Sequence, residues 1–263
     1  MNNIAILLVA LTVLPLPLLT ALGNPDELVK EGMIIEVDSL DKISTSSDWE
    51  LIIKKGNTSE LFIETVGSSR NYVEYREGEL KMGERPGIGF SFKRSRAILT
   101  VPELSADLNA SSSSDILVNL TVEAKSLNLT TSSSGTIEMA EVLCSSLESK
   151  SSSSSKIVLK QLKTDSASIK GSSSSKYFIE NGSCRTITTS FSSSSRMLAE
   201  NFIIEESMNI NGSSSSYQEF SINDNIEAKG SLSSTAKLIL HGNPSAMALQ
   251  NIKTSSSGRY EIR

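Results

Sequence analysis

Apolar and polar residues alternate in short segments through the last two-thirds of this chain, and runs of serine separate the segments. When the runs are aligned on their first serine, apolar residues recur three and five positions before it and five and seven positions after it. A spacing of two is the period of a β-strand that buries one face. The pattern therefore predicts one strand before each run and one after it, with residues such as Leu127, Leu129, Ile137 and Met139 facing a common core.

The serine runs return about every twenty residues, and this period decides the predicted architecture. We place the first serines of the runs at Ser111, Ser132, Ser152, Ser172, Ser192, Ser213, Ser231 and Ser255. A fixed period indicates a solenoid whose repeats pack on their neighbours, and two or three strands per repeat predict an all-β parallel β-helix of about eight coils. Helical solenoids need repeats of about 33 residues or more. A β-sandwich is the alternative, although it would not require so regular a period.

Serine at the corners of these coils has two interpretations. Only small residues follow the first serine by three positions, which indicates a tight bend between neighbouring coils. Serine hydroxyls bond to nearby backbone groups in such turns. We therefore interpret the runs as corner fillers, and a hydroxyl ladder that binds a repetitive ligand such as a glycan is the alternative.

The first part of the chain has strands but lacks the serine period. Residues 24–103 contain strand-length alternations such as Ile35/Val37 and Leu51/Ile53, separated by polar turns. This region predicts a β-rich N-terminal cap, and residues 104–263 form the predicted serine-cornered β-helix. A cap would cover the sheet edge that the first coil otherwise exposes.

Three segments give the chain a resemblance to a known family. These are WELIIKKG at residues 49–56, GELKM at residues 78–82, and TVPEL at residues 100–104, which leads into the first serine repeat. Their order resembles the putative auto-transporter adhesin head GIN domain family, exported bacterial proteins common in the Bacteroidota, over about residues 33–262. The resemblance implies a right-handed parallel β-helix with a surface or adhesion role, and it supplies no catalytic residues.

The N-terminus indicates export from the cytoplasm. Residues 4–22 are almost wholly apolar, and Ala21 and Gly23 place small residues before a cleavage site at Asn24. This pattern predicts a signal peptide over residues 1–23, with an uncleaved membrane anchor as the alternative. The mature protein is then expected in the periplasm, at the cell surface or outside the cell, with no stable membrane span.

The charges and candidate chemical groups favour binding rather than catalysis. Twenty-five basic and 30 acidic residues give a net charge of −5, which argues against a nucleic-acid partner. No pattern indicates a catalytic residue, a metal or a cofactor. We therefore expect a non-enzymatic adhesin or a glycan- or protein-binding module. A polysaccharide-active enzyme on the same scaffold and a purely structural envelope scaffold are the alternatives.

One row of charge is a candidate ligand site. Lys156, Lys176 and Arg196 each follow the first serine of their coil by four positions, so they should stack about 4.8 Å apart. Like charges at this spacing repel unless they are countered. The three side chains either spread into water or form an anion-binding stripe for acidic glycans.

The cysteines and the single histidine complete the candidates. Cys144 and Cys184 occupy equivalent places two coils apart, about 9.6 Å at the coil spacing, and a disulfide needs Cα atoms about 4.4–6.8 Å apart. We therefore predict two free thiols. His241 is expected in a solvated loop that leaves the seventh coil.

Overall fold

Residues 29–87 and 93–263 are described by the computed structural model, and their eighteen strands form one continuous sheet. The predicted signal peptide, residues 1–23, lies outside these residues. The strands of the N-terminal region are β1 Ile34–Glu36, β2 Lys42–Thr45, β3 Trp49–Lys55, β4 Glu60–Thr65, β5 Asn71–Arg76, β6 Glu79–Glu84 and β7 Ser95–Val101. The elements of the repeat region are β8 Asp107–Ala110, β9 Asp115–Thr131, β10 Thr136–Ser151, β11 Lys156–Gly171, β12 Lys176–Phe191, β13 Arg196–Gly212, β14 Tyr217–Ile222, β15 Glu227–Leu232, β16 Lys237–His241, α1 Ala246–Leu249, β17 Asn251–Thr254 and β18 Arg259–Ile262.

The strands of the repeat region pair in parallel with those one coil away, as the serine period predicts. Ile137 of β10 lies beside Ile116 of β9 and Ile157 of β11, and all three side chains are fully buried. Alternate residues turn inward on every coil, so the coils enclose one continuous apolar core. The fold is a parallel β-solenoid of about eight coils, which confirms the predicted fold class and excludes the sandwich.

The N-terminal strands stack on the first coil in the same register. Ile43 of β2 lies beside Leu108 of β8, and Leu51 of β3 lies beside Ile116 of β9, both in parallel. Beyond them β4 pairs antiparallel with β7 and β1, and β5 pairs antiparallel with β6. Strand β3 therefore extends the parallel face of the solenoid by one strand, and the antiparallel pairs lie farther toward the N-terminal end.

Seven of the serine corners are two-residue turns of left-handed backbone. The pairs with positive φ are Ser112/Ser113, Ser133/Ser134, Ser153/Ser154, Ser173/Ser174, Ser193/Ser194, Ser214/Ser215 and Ser234/Thr235. In the third corner Ser153 and Ser154 have φ of 55° and 63°, and the Ser155 amide donates to the Ser152 carbonyl at 3.2 Å. This is the geometry of a type I′ turn. The Ser155 hydroxyl donates to the same carbonyl at 2.7 Å, which confirms the predicted bond from the corner serine to the local backbone.

The seventh corner begins at Ser233, so the placement of its first serine at Ser231 is wrong. Ser234 and Thr235 have the positive φ values, and the Ala236 amide closes the turn on the Ser233 carbonyl at 3.0 Å. Ser231 lies inside β15. The error arose because left-handed backbone defines the turn, and threonine and alanine take the last two positions that serine occupies elsewhere.

The two cysteines are free, as predicted, and both are buried. Cys144 pairs with Thr164 in the next coil, and Thr164 pairs with Cys184 in the coil after that. One whole coil therefore separates the thiols.

Candidate functional site

The first five residues of the strand that follows each serine corner present a flat outward face with three parallel rows of side chains. Residues i, i+2 and i+4 of each strand point outward, and the parallel register stacks them with their equivalents. The first row, called the cationic row, is Asp115, Thr136, Lys156, Lys176, Arg196, Tyr217, Lys237 and Arg259. The middle row is Leu117, Glu138, Val158, Phe178, Leu198, Glu219, Ile239 and Glu261. The third row includes Lys160, Glu180, Glu200, Ser221 and His241.

The stacking of the three predicted cations is confirmed. Lys156 pairs in register with Lys176, and Lys176 pairs with Arg196. Within the described residues none of the three forms an ion pair, so their charges are available to a partner. Sequence reasoning missed Lys237 and Arg259, which continue the row beyond Tyr217. Counting four residues from Ser233 and Ser255 would have found them.

The middle row next to these cations is partly apolar and partly exposed. The Leu198 side chain is 37% exposed. Phe178 lies beneath the Lys156 ammonium, which is 5.6 Å from the ring centroid, a cation–π contact. Glu138 of β10, also in the middle row, forms an ion pair at 2.7 Å with Lys160 of β11, which lies in the third row. The centre of the face therefore carries cations on one side, apolar side chains between, and mostly acidic groups on the other side.

His241 is not in a solvated loop, and the structure corrects this expectation. It is the last residue of β16, and its Nε2 atom lies 2.8 Å from Glu219 Oε1. The Tyr217 hydroxyl donates to the other Glu219 oxygen at 2.7 Å. Burial raises the pKa of Glu219, but the bonds from Tyr217 and His241 outweigh it and hold the pKa below its usual value. Burial and the bond to Glu219 raise the pKa of Tyr217 to about 12.

A groove of about 870 Å³ lies on the second halves of four successive coils, between Thr186 and Asn251, away from the outward face. One wall is a stacked row of Thr188, Asn209, Lys229 and Asn251. The other walls contain Thr186, Ser207, Asn225, Ile226, Glu227, Ser245, Met247 and Gln250. We call this site the α1 groove, because the helix α1 forms its rim. No sequence signal pointed to it.

The α1 helix forms where the seventh coil departs from the repeat. After β16 the chain leaves the strand path, and the Ser245 hydroxyl caps the helix by accepting from the Ala248 amide at 3.2 Å. Leu249 is buried and holds the helix against the solenoid, while Met247 at the rim is 73% exposed. The insertion therefore turns an otherwise flat coil surface into a concave one.

No group of three or more potential metal ligands among histidine, cysteine, aspartate and glutamate occurs in the part of the chain that the structure describes. Over those same residues, no helix has the length and apolarity needed to cross a membrane.

Comparison with protein families supplies the family assignment. The model of the family described as "putative auto-transporter adhesin, head GIN domain" matches residues 39–244, which is most of the chain. The chain belongs to this family. The resemblance seen in the sequence is thereby confirmed, and the family's adhesin description indicates a surface or exported location.

Solved structures share the fold of this head GIN domain protein at low sequence identity. A putative adhesin from Parabacteroides merdae matches with a TM-score of 0.72 and 15% identity, over 88% of this chain and 93% of its own. A putative adhesin from Parabacteroides distasonis matches with a TM-score of 0.71 and 14% identity, over the same shares. A protein of that species described as a putative lipid binding protein has a TM-score of 0.67 and 17% identity, over 90% of this chain and 98% of its own. A search of curated proteins found no match.

Proposed function

We propose that this head GIN domain protein is an exported, non-enzymatic surface-binding protein that holds a neutral glycan in the α1 groove. The observation that carries the proposal is the set of unpaired polar side chains in that groove. Within the described residues, the side chains of Asn209, Asn225, Gln250 and Asn251 form no hydrogen bond, although an amide both donates and accepts. Sugar hydroxyls have the same dual capacity, so these amides match a polyhydroxylated ligand.

The size and charge of the groove support the same ligand class. A volume of about 870 Å³ falls within the range of about 300–1,000 Å³ typical of small-molecule sites. Glu227 and Lys229 are the charged residues of the lining, so the lining carries no net charge and does not favour a charged ligand. Met247 at the rim, whose side chain is 73% exposed, supplies apolar contact for the C–H face of a sugar ring, in place of an aromatic platform.

The lining favours binding over cleavage. Glycoside hydrolases of the common types use two carboxylates on either side of the scissile bond. Among the described residues that line the α1 groove, Glu227 is the single carboxylate. The groove can therefore orient a glycan but lacks the second acid or base that hydrolysis uses.

A glycan array with the purified mature protein tests this proposal. We expect binding to neutral glycans, and the double variant Asn209→Ala/Asn251→Ala should weaken it by about tenfold or more, since two hydrogen-bonding groups are lost. Asn201→Ala, an exposed asparagine outside the groove, is the matched control and should leave affinity unchanged. Equal loss in the control, or no glycan bound at all, would overturn the proposal and favour a protein partner or a purely structural scaffold. Release of shortened products from a bound polysaccharide would instead favour the enzyme.

A further inference from the structure

The charges on the outward face have opposite signs on its two sides. On β12, Lys176 lies in the cationic row and Glu180 lies four residues later in the third row, with Phe178 between them. On β13, Arg196 and Glu200 repeat this arrangement with Leu198 between them. All four charged side chains are exposed, and none has an ion-pair partner among the described residues. The centre of the face therefore carries a cationic lane, an apolar lane and an anionic lane along the rod.

Such a face is complementary to itself in one orientation. If a second copy is placed against it by a twofold rotation about an axis parallel to the rod, the lanes exchange sides. The cationic lane of each copy then lies opposite the anionic lane of the other, and the two apolar lanes meet at the axis. A twofold axis across the rod would instead place like charges opposite each other. An isologous dimer is therefore favoured with the two rods parallel.

In this dimer each strand lies opposite the same strand of the second copy, so specific residues face each other. Lys176 faces Glu180 of the second copy, and Arg196 faces Glu200 of the second copy, and symmetry makes each pair twice. On β3, Glu50 and Lys54 lie four residues apart with the opposite polarity, but Glu50 already forms an ion pair with Arg96 and adds little to the match. Like charges face each other on β11, where Lys156 meets Lys160, and at β18, where Arg259 meets Arg263. Within each copy, Glu138 already neutralises Lys160 and Glu261 neutralises Arg263.

The face is large enough for a stable dimer. From β3 through β18 its strands span about 40 Å along the rod, and five residues across each strand span about 16 Å. Two such faces bury about 1,300 Å² in total, which lies within the range of about 1,200–2,000 Å² for specific interfaces. Packed sheets lie about 10 Å apart, a distance that facing lysine and glutamate side chains can bridge.

We propose that this outward face is a self-association surface, and that the protein forms a parallel twofold dimer through its cationic, middle and third rows. The α1 groove lies on the second half of the coils, away from this face, so it stays open in the dimer, and neither proposal depends on the other. The predicted binding stripe of Lys156, Lys176 and Arg196 then serves a protein partner, which is a second copy of this chain.

Charge reversal tests the pairing. We expect the mature protein to sediment at twice its monomer mass, and Lys176→Glu to weaken the dimer by about tenfold or more, because it creates two repulsive pairs. Glu180→Lys should do the same. The double variant Lys176→Glu/Glu180→Lys should restore the dimer, because both pairs become attractive again. A monomeric wild type at all concentrations, or a double variant no better than the single ones, would overturn the proposal.

Cross-linking tests the orientation. Leu198 lies at the predicted axis, so Leu198→Cys should face the same residue of the second copy at a Cα distance of about 10 Å and join the copies through a short bismaleimide. The native cysteines are buried, and Ser154→Cys at a corner is the control that should give no cross-linked dimer. Equal cross-linking of both variants would overturn the parallel arrangement. A monomer that binds heparin, and loses this binding on replacement of Lys156, Lys176 and Arg196 by alanine, would assign the row to acidic glycans and overturn the proposal.

Discussion

The serine corners carry a conformational cost that glycine would remove. Ser153 and Ser154 have φ of 55° and 63°, and their hydroxyls have no hydrogen-bond partner among the described residues. Left-handed backbone costs a residue with a Cβ roughly 1–2 kcal/mol, and glycine loses roughly 0.5–1 kcal/mol more entropy on folding. The double variant Ser153→Gly/Ser154→Gly should therefore raise the free energy of unfolding by about 1–2 kcal/mol. The backbone bond from Ser154 to the Ser173 carbonyl, at 2.9 Å, does not involve the side chain and should persist.

Thermal unfolding measures this change against two matched variants. For a chain of this size the gain corresponds to a rise in Tm of about 2–8 °C. Ser152→Gly lies in the same corner without positive φ, so it should lower stability by about 0.5–1 kcal/mol. Ser155→Ala removes a buried hydroxyl bonded to the Ser152 carbonyl and to Thr131 Oγ1 at 2.9 Å, and it should cost about 1–3 kcal/mol. A Tm for the double glycine variant equal to or below that of the wild type would refute the reasoning.

Three further predictions concern the backbone, one carboxylate and the thiols. Gly182→Ala should lower the urea midpoint strongly, because its φ is +123° and a Cβ there would lie 1.8 Å from a backbone oxygen of the coil below. The wild type should be more stable than Glu219→Gln above about pH 4.5, and this advantage should fall in urea titrations as the pH drops further. The reason is that the tyrosine and histidine that donate to Glu219 hold its folded pKa below the unfolded value. Cys144 and Cys184 should stay unreactive toward a thiol reagent at pH 8 until the protein unfolds, since burial raises both pKa values, that of Cys184 to about 12.

The coil architecture was predictable because two periods coincide in the sequence. The two-residue period shows which side chains turn inward, and the twenty-residue period shows which residues stack. Ile116, Ile137 and Ile157 satisfy both, and they are buried neighbours in the structure. The free cysteines followed from the same alignment, since their equivalence across two coils needs no side-chain detail.

The corner register was less predictable, because residue identity reports left-handed backbone only indirectly. Ser234 and Thr235 adopt the same φ values as two serines elsewhere. Ser47 and Asp48, in the N-terminal region, also have φ near 60°, and the Asp48 amide binds the Ser112 carbonyl of the next corner at 3.3 Å. The sequence interpretation missed this corner because 65 residues, rather than about twenty, separate Ser47 from its stacked equivalent Ser112.

The two candidate surfaces differ in how far the sequence could reveal them. The cationic row follows from counting residues along a regular repeat, so the residue numbers alone are enough to align Lys156, Lys176 and Arg196. The α1 groove exists because residues 242–250 interrupt the repeat. The position of Met247 at the rim of this groove depends on the path of that insertion, which no period describes.

Regular stacking also explains why the outward face can specify the orientation of a partner. In a solenoid, a pair of opposite charges four residues apart on one strand becomes two lanes when the next coil repeats it. Lys176/Glu180 and Arg196/Glu200 repeat the pair in consecutive coils, so the polarity of the face is constant where its apolar lane is most exposed. Two copies can align such lanes face to face by a twofold axis either parallel to the rod or across it. The axis across the rod places like charges opposite each other and is disfavoured. A four-residue spacing and a twenty-residue period are therefore sufficient to select parallel rods, whatever ligand the α1 groove binds.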